Sequence, residues 1–349
     1  MSKLSDFIVD GVIENCDLSQ ISFMGESFAH LRLRGVNLSQ ANLSGCNFSS
    51  TDLEKCDLSF ANLTDANLTQ SSLTQCKLAG AQMQNTQCVA SKFRDSDLSG
   101  IMAEKANWEM STFVTCVLDR AKFSGTNWEF ISALSSSFKG VDLTGTVISR
   151  GTFQTCDLSE VVFQDTQMVQ TILIKAKLPG QRFPGCQLDT TVFSEADLTG
   201  ADFARTTLSS VIFGEANLTH AQFNGAQCRQ VMFSLANMTG ANLEGARFEL
   251  CDFQMAKLGK AKAAQTSWQD CNLERLDAPN TDFAGAQFKC CELSKANVQA
   301  SDFSQATFTA SILFGLIENE TCWEDTVFDN SPKLDLPRAK AEQWSAPTQ

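Results

Sequence analysis

Large apolar residues recur at every fifth position of this chain, and the pattern is clearest around Leu43 and Phe48. Two positions before each of them stands a small residue, as Ala41 before Leu43 and Cys46 before Phe48. A period of five fits neither the 3.6-residue repeat of an α-helix nor the two-residue alternation of a β-strand. The pattern therefore predicts a repeat architecture.

The same register runs from Ile13 to Phe328, which gives 64 pentapeptides without an insertion or a deletion. Of the 26 Phe residues, 22 occupy the central apolar position, and 16 of the 20 Gly residues lie two positions after it, where a turn favours a positive φ. Leu occupies 11 of the 16 central positions in the series that starts at Leu18 and advances by twenty, against 4, 3 and 7 in the other series. This twenty-residue superperiod predicts coils with four sides.

Units such as Ala61-Asn62-Leu63 and Ala196-Asp197-Leu198 resemble the A(D/N)LXX repeat of the pentapeptide-repeat family. The resemblance implies an all-β fold, a right-handed quadrilateral β-helix of about 16 coils with no inserted loops. At a spacing of ~4.8 Å the coils would form a rod about 75 Å long. Stacked repeats need protected ends. We therefore expect an N-terminal cap in residues 1–12, the β-helix in residues 13–330, and a C-terminal cap or tail in residues 331–349.

Composition and charge narrow the function classes. The start of the chain lacks a charged segment followed by an apolar one, and no apolar run approaches about 18 residues. We therefore expect a cytoplasmic protein, from a bacterium by the resemblance, with no membrane partner. Fourteen cysteines in 349 residues without such a signal favour reduced thiols. The formal net charge of -13 argues against direct nucleic-acid binding, which usually needs a basic face.

Residues that could carry chemistry are sparse and scattered. His30 and His220 are the only histidines, and both fall at outward positions. Most cysteines occupy inward positions, as in the series Cys251, Cys271 and Cys291, and we interpret them as small hydrophobes of the core. The spacings typical of metal ligands, phosphate loops and nucleophile elbows are absent from the sequence. The sequence thus predicts no catalytic residue, cofactor, metal or small-molecule substrate, and the protein is not expected to be an enzyme.

Outward apolar residues single out one side of the coil, centred on Phe193 and Phe213. Elsewhere these positions hold Asn, Asp, Ser, Thr or Gln, so an apolar stripe there indicates an interface. Alternatively, the side chains fold over a locally wide coil. A weaker patch comprises Met110 and Phe130, twenty residues apart. The predicted interface consists of Ile172, Ile174, Val192, Ile212, Met232, Leu235 and Met255.

These features favour a non-catalytic, rod-shaped scaffold or adaptor that binds another protein or a second copy of itself. Long members of the family without loops also resemble accessory proteins of bacterial secretion systems, in which such a rod carries or loads cargo. The resemblance therefore implies a cargo-carrying role in such a system.

A different role is also implied by the resemblance, because some members are DNA mimics that bind DNA gyrase and give resistance to quinolones or toxins. A mimic needs an acidic face that matches the phosphates. Basic residues such as Lys105, Lys122 and Lys262 interrupt the most acidic side of this chain, so we keep gyrase or topoisomerase modulation as the alternative. The acidic face comprises Asp65, Glu104, Asp142, Asp165, Asp202, Glu244, Asp282 and Asp302.

Overall fold

The pentapeptides fold into four-sided coils stacked along a parallel β-solenoid. The computed structural model describes residues 4–333, and the chain divides into two compact units, Met1–Val192 and Phe193–Gln349. The fold is the all-β, right-handed quadrilateral β-helix of about 16 coils that the sequence predicts. Within each unit, paired residues are twenty apart, as Val12 with Arg32 and Gln227 with Arg247, so the four-sided coil is confirmed.

In the first unit, a 3₁₀ helix at Leu4–Phe7 precedes the strands, and an antiparallel bridge joins Val9 to Val12. Strands β1 to β7 and β9 form one parallel sheet in that order, and β8 pairs with β10, which pairs with β11. The strands are β1 Val12–Glu14, β2 Arg32–Arg34, β3 Asp52–Glu54, β4 Ser72–Thr74, β5 Lys92–Arg94, β6 Thr112–Val114, β7 Ser132–Leu134, β8 Val147–Ser149, β9 Thr152–Gln154, β10 Gln167–Val169 and β11 Gln187–Asp189.

In the second unit, seven strands follow one another at intervals of twenty residues, each parallel to the next. They are β12 Thr207–Ser209, β13 Gln227–Arg229, β14 Arg247–Glu249, β15 Ser267–Gln269, β16 Gln287–Lys289, β17 Thr307–Thr309 and β18 Val327–Asp329. The predicted C-terminal cap or tail begins at residue 331, and its residues after Lys333 lie outside the described residues. Within residues 4–333, no helix has the length and apolar character needed to cross a lipid bilayer.

The inward positions explain why the coil closes. Central residues such as Leu43 and Phe48 are buried, and so are the small residues two positions before them. Where the small residue is polar, it donates to a carbonyl of the preceding coil: Thr51 Oγ1 to Phe28 O over 2.8 Å, and Cys46 Sγ to Phe23 O over 2.9 Å. Ala, Ser, Thr and Cys share these positions because each is small, and Ser71 is an exception whose buried hydroxyl has no hydrogen-bond partner among residues 4–333.

The corners depend on residues in the left-handed region. Gly45 and Gly100 have φ of +66° and +63°, as predicted, but Gln40 and Arg120 adopt nearly the same conformation at +58° and +60°. The preceding Asp or Asn supports the corner through its side chain, and the Ser59 N–H donates to Asp57 Oδ1 over 2.9 Å. Such a local bond offsets part of the ~1–2 kcal/mol that a left-handed L-residue costs.

The core contains three fully buried tryptophans, Trp108, Trp128 and Trp268. The Trp268 indole N–H donates to Thr266 Oγ1 over 2.8 Å. Trp108 and Trp128 are equally buried, but their indole N–H groups have no hydrogen-bond partner among residues 4–333. The residue two before Trp108 is Ala106, which has no hydroxyl to accept the bond, whereas Trp128 has Thr126 there and its indole N–H is still unpaired.

A change of side within the first unit was not predicted. The three-residue strands lie on one side of the coil up to β9 and on the preceding side from β8 onward, so a single coil carries both β8 and β9. Gly151 separates the two strands and occupies an inward position that mostly holds Ala, Ser, Thr or Cys. A β-carbon at Gly151 would come within 2.7 Å of Ile148 Cγ2 and 3.1 Å of Ile131 Cγ2.

A second departure is Gln181, a long polar side chain at an inward position. It is buried, and its Nε2 donates to Val161 O over 2.8 Å and to Arg182 O over 3.0 Å. The Gln181 amide thus joins two adjacent coils. In the preceding coil the corresponding link is a backbone hydrogen bond, which Val162 N–H donates to Val141 O over 2.9 Å.

At the end of the second unit, Glu318 occupies a central position that is otherwise apolar. Lys333 Nζ lies 2.6 Å from Glu318 Oε2 and 3.7 Å from the centroid of the Trp323 ring. The ion pair provides the partner that a carboxylate needs at this position.

Candidate protein-interaction surfaces

Outward side chains stack in columns, because the three outward positions of each side recur in every coil. The predicted interface residues of the first unit follow this rule. Ile172 pairs with Val192 in the next coil, and both are half-buried, as is Ile174. The structure therefore brings these three apolar side chains to one side of two neighbouring coils.

The second unit holds the half-buried Ile212 and the exposed Met232, Leu235 and Met255, and we call these four residues the C-terminal apolar group. Ile212 pairs with Met232 in the next coil. The exposed fractions of Met232, Leu235 and Met255 are 42%, 50% and 42%. About half of each of these three side chains is therefore accessible to a partner.

The surroundings of the C-terminal apolar group are polar and internally paired. Asp252 lies below Met232, and its Oδ1 accepts from the Gln254 N–H over 3.0 Å and from Asn272 Nδ2 over 3.0 Å. Gln254 Nε2 donates to Glu274 Oε2 over 3.0 Å. The group is thus an apolar surface bordered on one side by satisfied polar residues.

The weaker patch differs from the expectation in one respect. Met110 and Phe130 are exposed, but the Arg150 guanidinium lies 5.1 Å from the centroid of the Phe130 ring. Arg150 Nε also donates to Gln170 Oε1 over 3.1 Å. The guanidinium covers part of the ring, so Phe130 presents less apolar surface than the sequence indicates.

The predicted acidic residues divide between the two units, with Asp65, Glu104, Asp142 and Asp165 in the first and the other four in the second. In the second unit, Asp202, Asp282 and Asp302 each accept a backbone N–H from the residue two positions later, over 3.0, 3.0 and 2.8 Å. Glu244 is exposed. Three of these four carboxylates thus support corners, a role that Asn performs equally well elsewhere in the repeat.

In the first unit, Asp142 has the same corner role. Its partial burial alone would raise the pKa, but hydrogen bonds from Thr144 and Ser124 and the charge of Lys122 outweigh burial and leave the pKa of this carboxyl below its ordinary value. Lys122 pairs with Asp142 in the next coil, so the basic interruption of this side lies directly beside an acid.

The thiols are mostly inaccessible, as the sequence predicts. Ten of the cysteines are buried, whereas Cys290 and Cys322 are exposed. Cys16 and Cys186 are half-buried rather than fully interior, a correction that reflects their places in the first coil and beside Pro184-Gly185. Burial raises the pKa of Cys156 to about 12, which disfavours the nucleophilic thiolate.

Sequence reasoning missed a groove on the first unit. It has a volume of about 710 Å³ and is lined by Phe60, Gly80, Gly100, Val117 and Arg120, among others. The available signal was the occurrence of Gly at both 80 and 100, twenty residues apart, which removes two successive side chains from one column.

Comparison with known proteins identifies the family. A family model described as Pentapeptide repeat region matches residues 12–83, 46–123 and 168–243, and one described as Pentapeptide repeats (8 copies) matches residues 136–174 and 269–305. The first alone covers more than half of the chain. The chain belongs to the pentapeptide-repeat family, as its resemblance implied. Among curated proteins, none matches the chain.

Solved structures that are similar share the repeat. HetL, a pentapeptide repeat protein involved in heterocyst differentiation regulation from the cyanobacterium Nostoc sp. strain PCC 7120, is 20% identical over 72% of this chain and 89% of its own, with a TM-score of 0.34. Full-length QnrB1, a plasmid-mediated fluoroquinolone resistance protein, is 18% identical over 67% of this chain and 93% of its own, with a TM-score of 0.24. Likeness at this level says nothing about function.

Proposed function

We propose that the protein is a non-catalytic scaffold that binds another protein through the C-terminal apolar group. The observation that carries the proposal is the exposure of Met232, Leu235 and Met255 on successive coils of one side. Fully burying an apolar side chain of this size contributes about 1.5–3 kcal/mol, so three of them could supply the centre of an interface.

The absence of a reactive constellation in the sequence supports a role without catalysis. His30 and His220 are both exposed and belong to different units, and neither has a nucleophile as a hydrogen-bond partner among residues 4–333. The buried thiols donate to backbone carbonyls, as Cys271 Sγ does to Phe248 O over 3.4 Å. Thiols bonded in this way stabilise the coil.

The test compares two double variants of the full chain. Ile212→Asp with Met232→Asp places charges in the apolar group, whereas Gln222→Asp with Asn242→Asp places them at the equivalent positions of the opposite side. Quantitative affinity capture from native cells, together with light scattering for self-association, should show loss of a partner or of a dimer only in the first variant. Unchanged capture and mass in both would contradict the proposal.

Two finer roles rest on the family resemblance. As an accessory protein of a secretion system, the scaffold would carry or load cargo, and its captured partner would then be a component or a substrate of that system. Modulation of DNA gyrase is the alternative, and it draws on the acidic residues of each unit. Lys122 beside Asp142 and Lys262 beside Asp282 weaken that match. Inhibition of gyrase supercoiling by the purified protein at micromolar concentration would favour the alternative.

A further inference from the structure

One column of corner residues in the first unit has an unusual composition. It runs Phe60, Gly80, Gly100, Arg120 and Gly140, each residue twenty positions after the last. Side chains at this position lean onto the following coil. A β-carbon built on Gly80 would lie 2.6 Å from the Phe60 ring, and one on Gly140 would lie 3.7 Å from Arg120 Cγ. Since Gly80 has no side chain to lean, nothing lies within 4 Å of a β-carbon at Gly100.

The result is a slot above Gly100 with an apolar wall. It forms the middle of the groove of about 710 Å³. Phe60 and Val117, which line that groove, are 63% and 40% exposed, so both offer apolar surface to a ligand. The groove extends from Phe60 to Glu160, which is five coil spacings or about 24 Å. An extended polypeptide of about seven residues covers that distance.

The charges that line the groove are not equally available. Lys139 Nζ lies 3.3 Å from Asp157 Oδ2, and Asp119 Oδ1 accepts from the Lys139 N–H and the Ser137 hydroxyl. Arg120, in contrast, has no carboxylate within ion-pair distance among residues 4–333. Glu160, at the end of the groove, has no ion pair among residues 4–333 either, so the Arg120 guanidinium is the positive charge of the groove that a ligand carboxylate can match.

The floor offers backbone acceptors. The N–H groups of Gly80 and Gly100 donate to Ser99 O and Asp119 O, each over 2.8 Å. Their own carbonyl oxygens accept no hydrogen bond from the part of the chain that the structure describes. With no side chain at either residue, a ligand backbone can approach these carbonyls closely.

We propose that this groove binds an extended segment of a partner protein that carries an apolar residue and, about three residues away, Asp or Glu. The apolar side chain enters the slot above Gly100 against Phe60, and the carboxylate pairs with Arg120. Arg120 leans onto Gly140, two coil spacings of ~4.8 Å from Gly100, and extended residues are ~3.3 Å apart, so the two contacts are about three residues apart along the ligand. The site is separate from the C-terminal apolar group, and neither proposal depends on the other.

The slot can be filled without disturbing the fold. Gly100 has φ +63°. Gln40, in the same column, adopts φ +58° although it carries a side chain. Gly100→Gln should therefore fold and block the slot. Gly145→Gln is the matched control, because Gly145 has φ +64°, has equal space around it, and belongs to another side of the same unit.

A phage-displayed random heptapeptide library, selected on the full chain, tests the proposal. The enriched peptides are synthesised with a fluorophore and titrated by anisotropy against the wild type, Gly100→Gln, Arg120→Gln and Gly145→Gln. We expect enrichment of an apolar residue about three positions from Asp or Glu. Affinity should fall about tenfold or more in Gly100→Gln and Arg120→Gln, and stay within about twofold in Gly145→Gln.

Three results would overturn the proposal. They are selection without that enrichment, equal affinities for all four proteins, and loss of peptide binding in Ile212→Asp with Met232→Asp instead of the groove variants. The last result would place the peptides on the C-terminal apolar group and leave the proposed scaffold function intact. Circular dichroism of each variant confirms that a loss of binding is not a loss of fold.

Discussion

The ring of Phe60 lies over Gly80, so that a β-carbon at Gly80 would come within 2.6 Å of Phe60 Cε1. In the second unit, His220 has the same relationship with Gly240, at 2.6 Å from Nδ1. Glycine at these corners therefore makes room for the ring of the preceding coil. Positive φ alone does not require it, since Phe60 and His220 themselves have φ of +58° and +60°.

Replacement of Gly80 by Ala should be more destabilising than replacement of Gly100 by Ala. Both variants place Ala at a positive φ, but only Gly80→Ala forces the Phe60 ring out of its position, at a cost of about 0.5–1.5 kcal/mol. Denaturant unfolding measures the two losses. The difference should vanish when Phe60 is replaced by Ala, and a difference that persists in that background would contradict the ring contact.

Ala106→Thr should stabilise the first unit. The sequence from Ala103 to Trp108 parallels that from Ala263 to Trp268, where Thr266 accepts the indole N–H. A hydroxyl at residue 106 would satisfy the buried Trp108 Nε1 and raise the free energy of unfolding by about 1 kcal/mol.

Ala246→Thr is the control for added volume, since Phe248, two positions later, has no donor. Thermal unfolding of both variants measures the two changes in stability. A gain in the control equal to that in Ala106→Thr would show that the indole is not the cause.

Gly151→Ala should cost about 1–3 kcal/mol, because the new methyl group overpacks the corner between β8 and β9. The added atom would lie 2.7 Å from Ile148 Cγ2. Ile148→Leu removes that β-branched methyl group, so the double variant should lose less stability than the sum of the single losses. Strict additivity in denaturant unfolding would rule out the contact as the source of strain.

Iodoacetamide at pH 8 should modify Cys290 and Cys322 in the folded protein and leave the buried thiols unmodified. Burial raises the pKa of Cys46 and Cys116 to about 11. Because their folded pKa lies above that of the unfolded chain, the stability they contribute is complete below about pH 9 and declines as the pH rises toward 11. Peptide mass spectrometry measures the labelling, and rapid modification of Cys46 or Cys116 at pH 8 would contradict their burial.

Much of the fold could be predicted, because the repeat defines which positions face inward. Central residues, small residues and corner glycines follow one register from Ile13 to Phe328. The move of the strands to another side at Val147–Ser149 could not be predicted. The apolar pattern is the same whether a side forms a three-residue strand or a single bridge between corners, so sequence periodicity does not distinguish them.

The candidate sites were less predictable than the fold. Phase alone places Met232 and Leu235 outside the coil, and the structure agrees. Contacts between successive coils depend on side-chain rotamers, which the repeat does not specify. For that reason neither the cover of Phe130 by Arg150 nor the slot above Gly100 followed from the pattern.

The central claim is that the C-terminal apolar group contacts another protein chain. To test it, a photo-crosslinking amino acid is placed at Met232 in one variant and at Asn242, on the opposite side of the coil, in a second variant, and both are irradiated in native cells. We expect a discrete crosslinked species from position 232 and none from position 242. Absence of a crosslink at 232, or equal crosslinking from both positions, would contradict it.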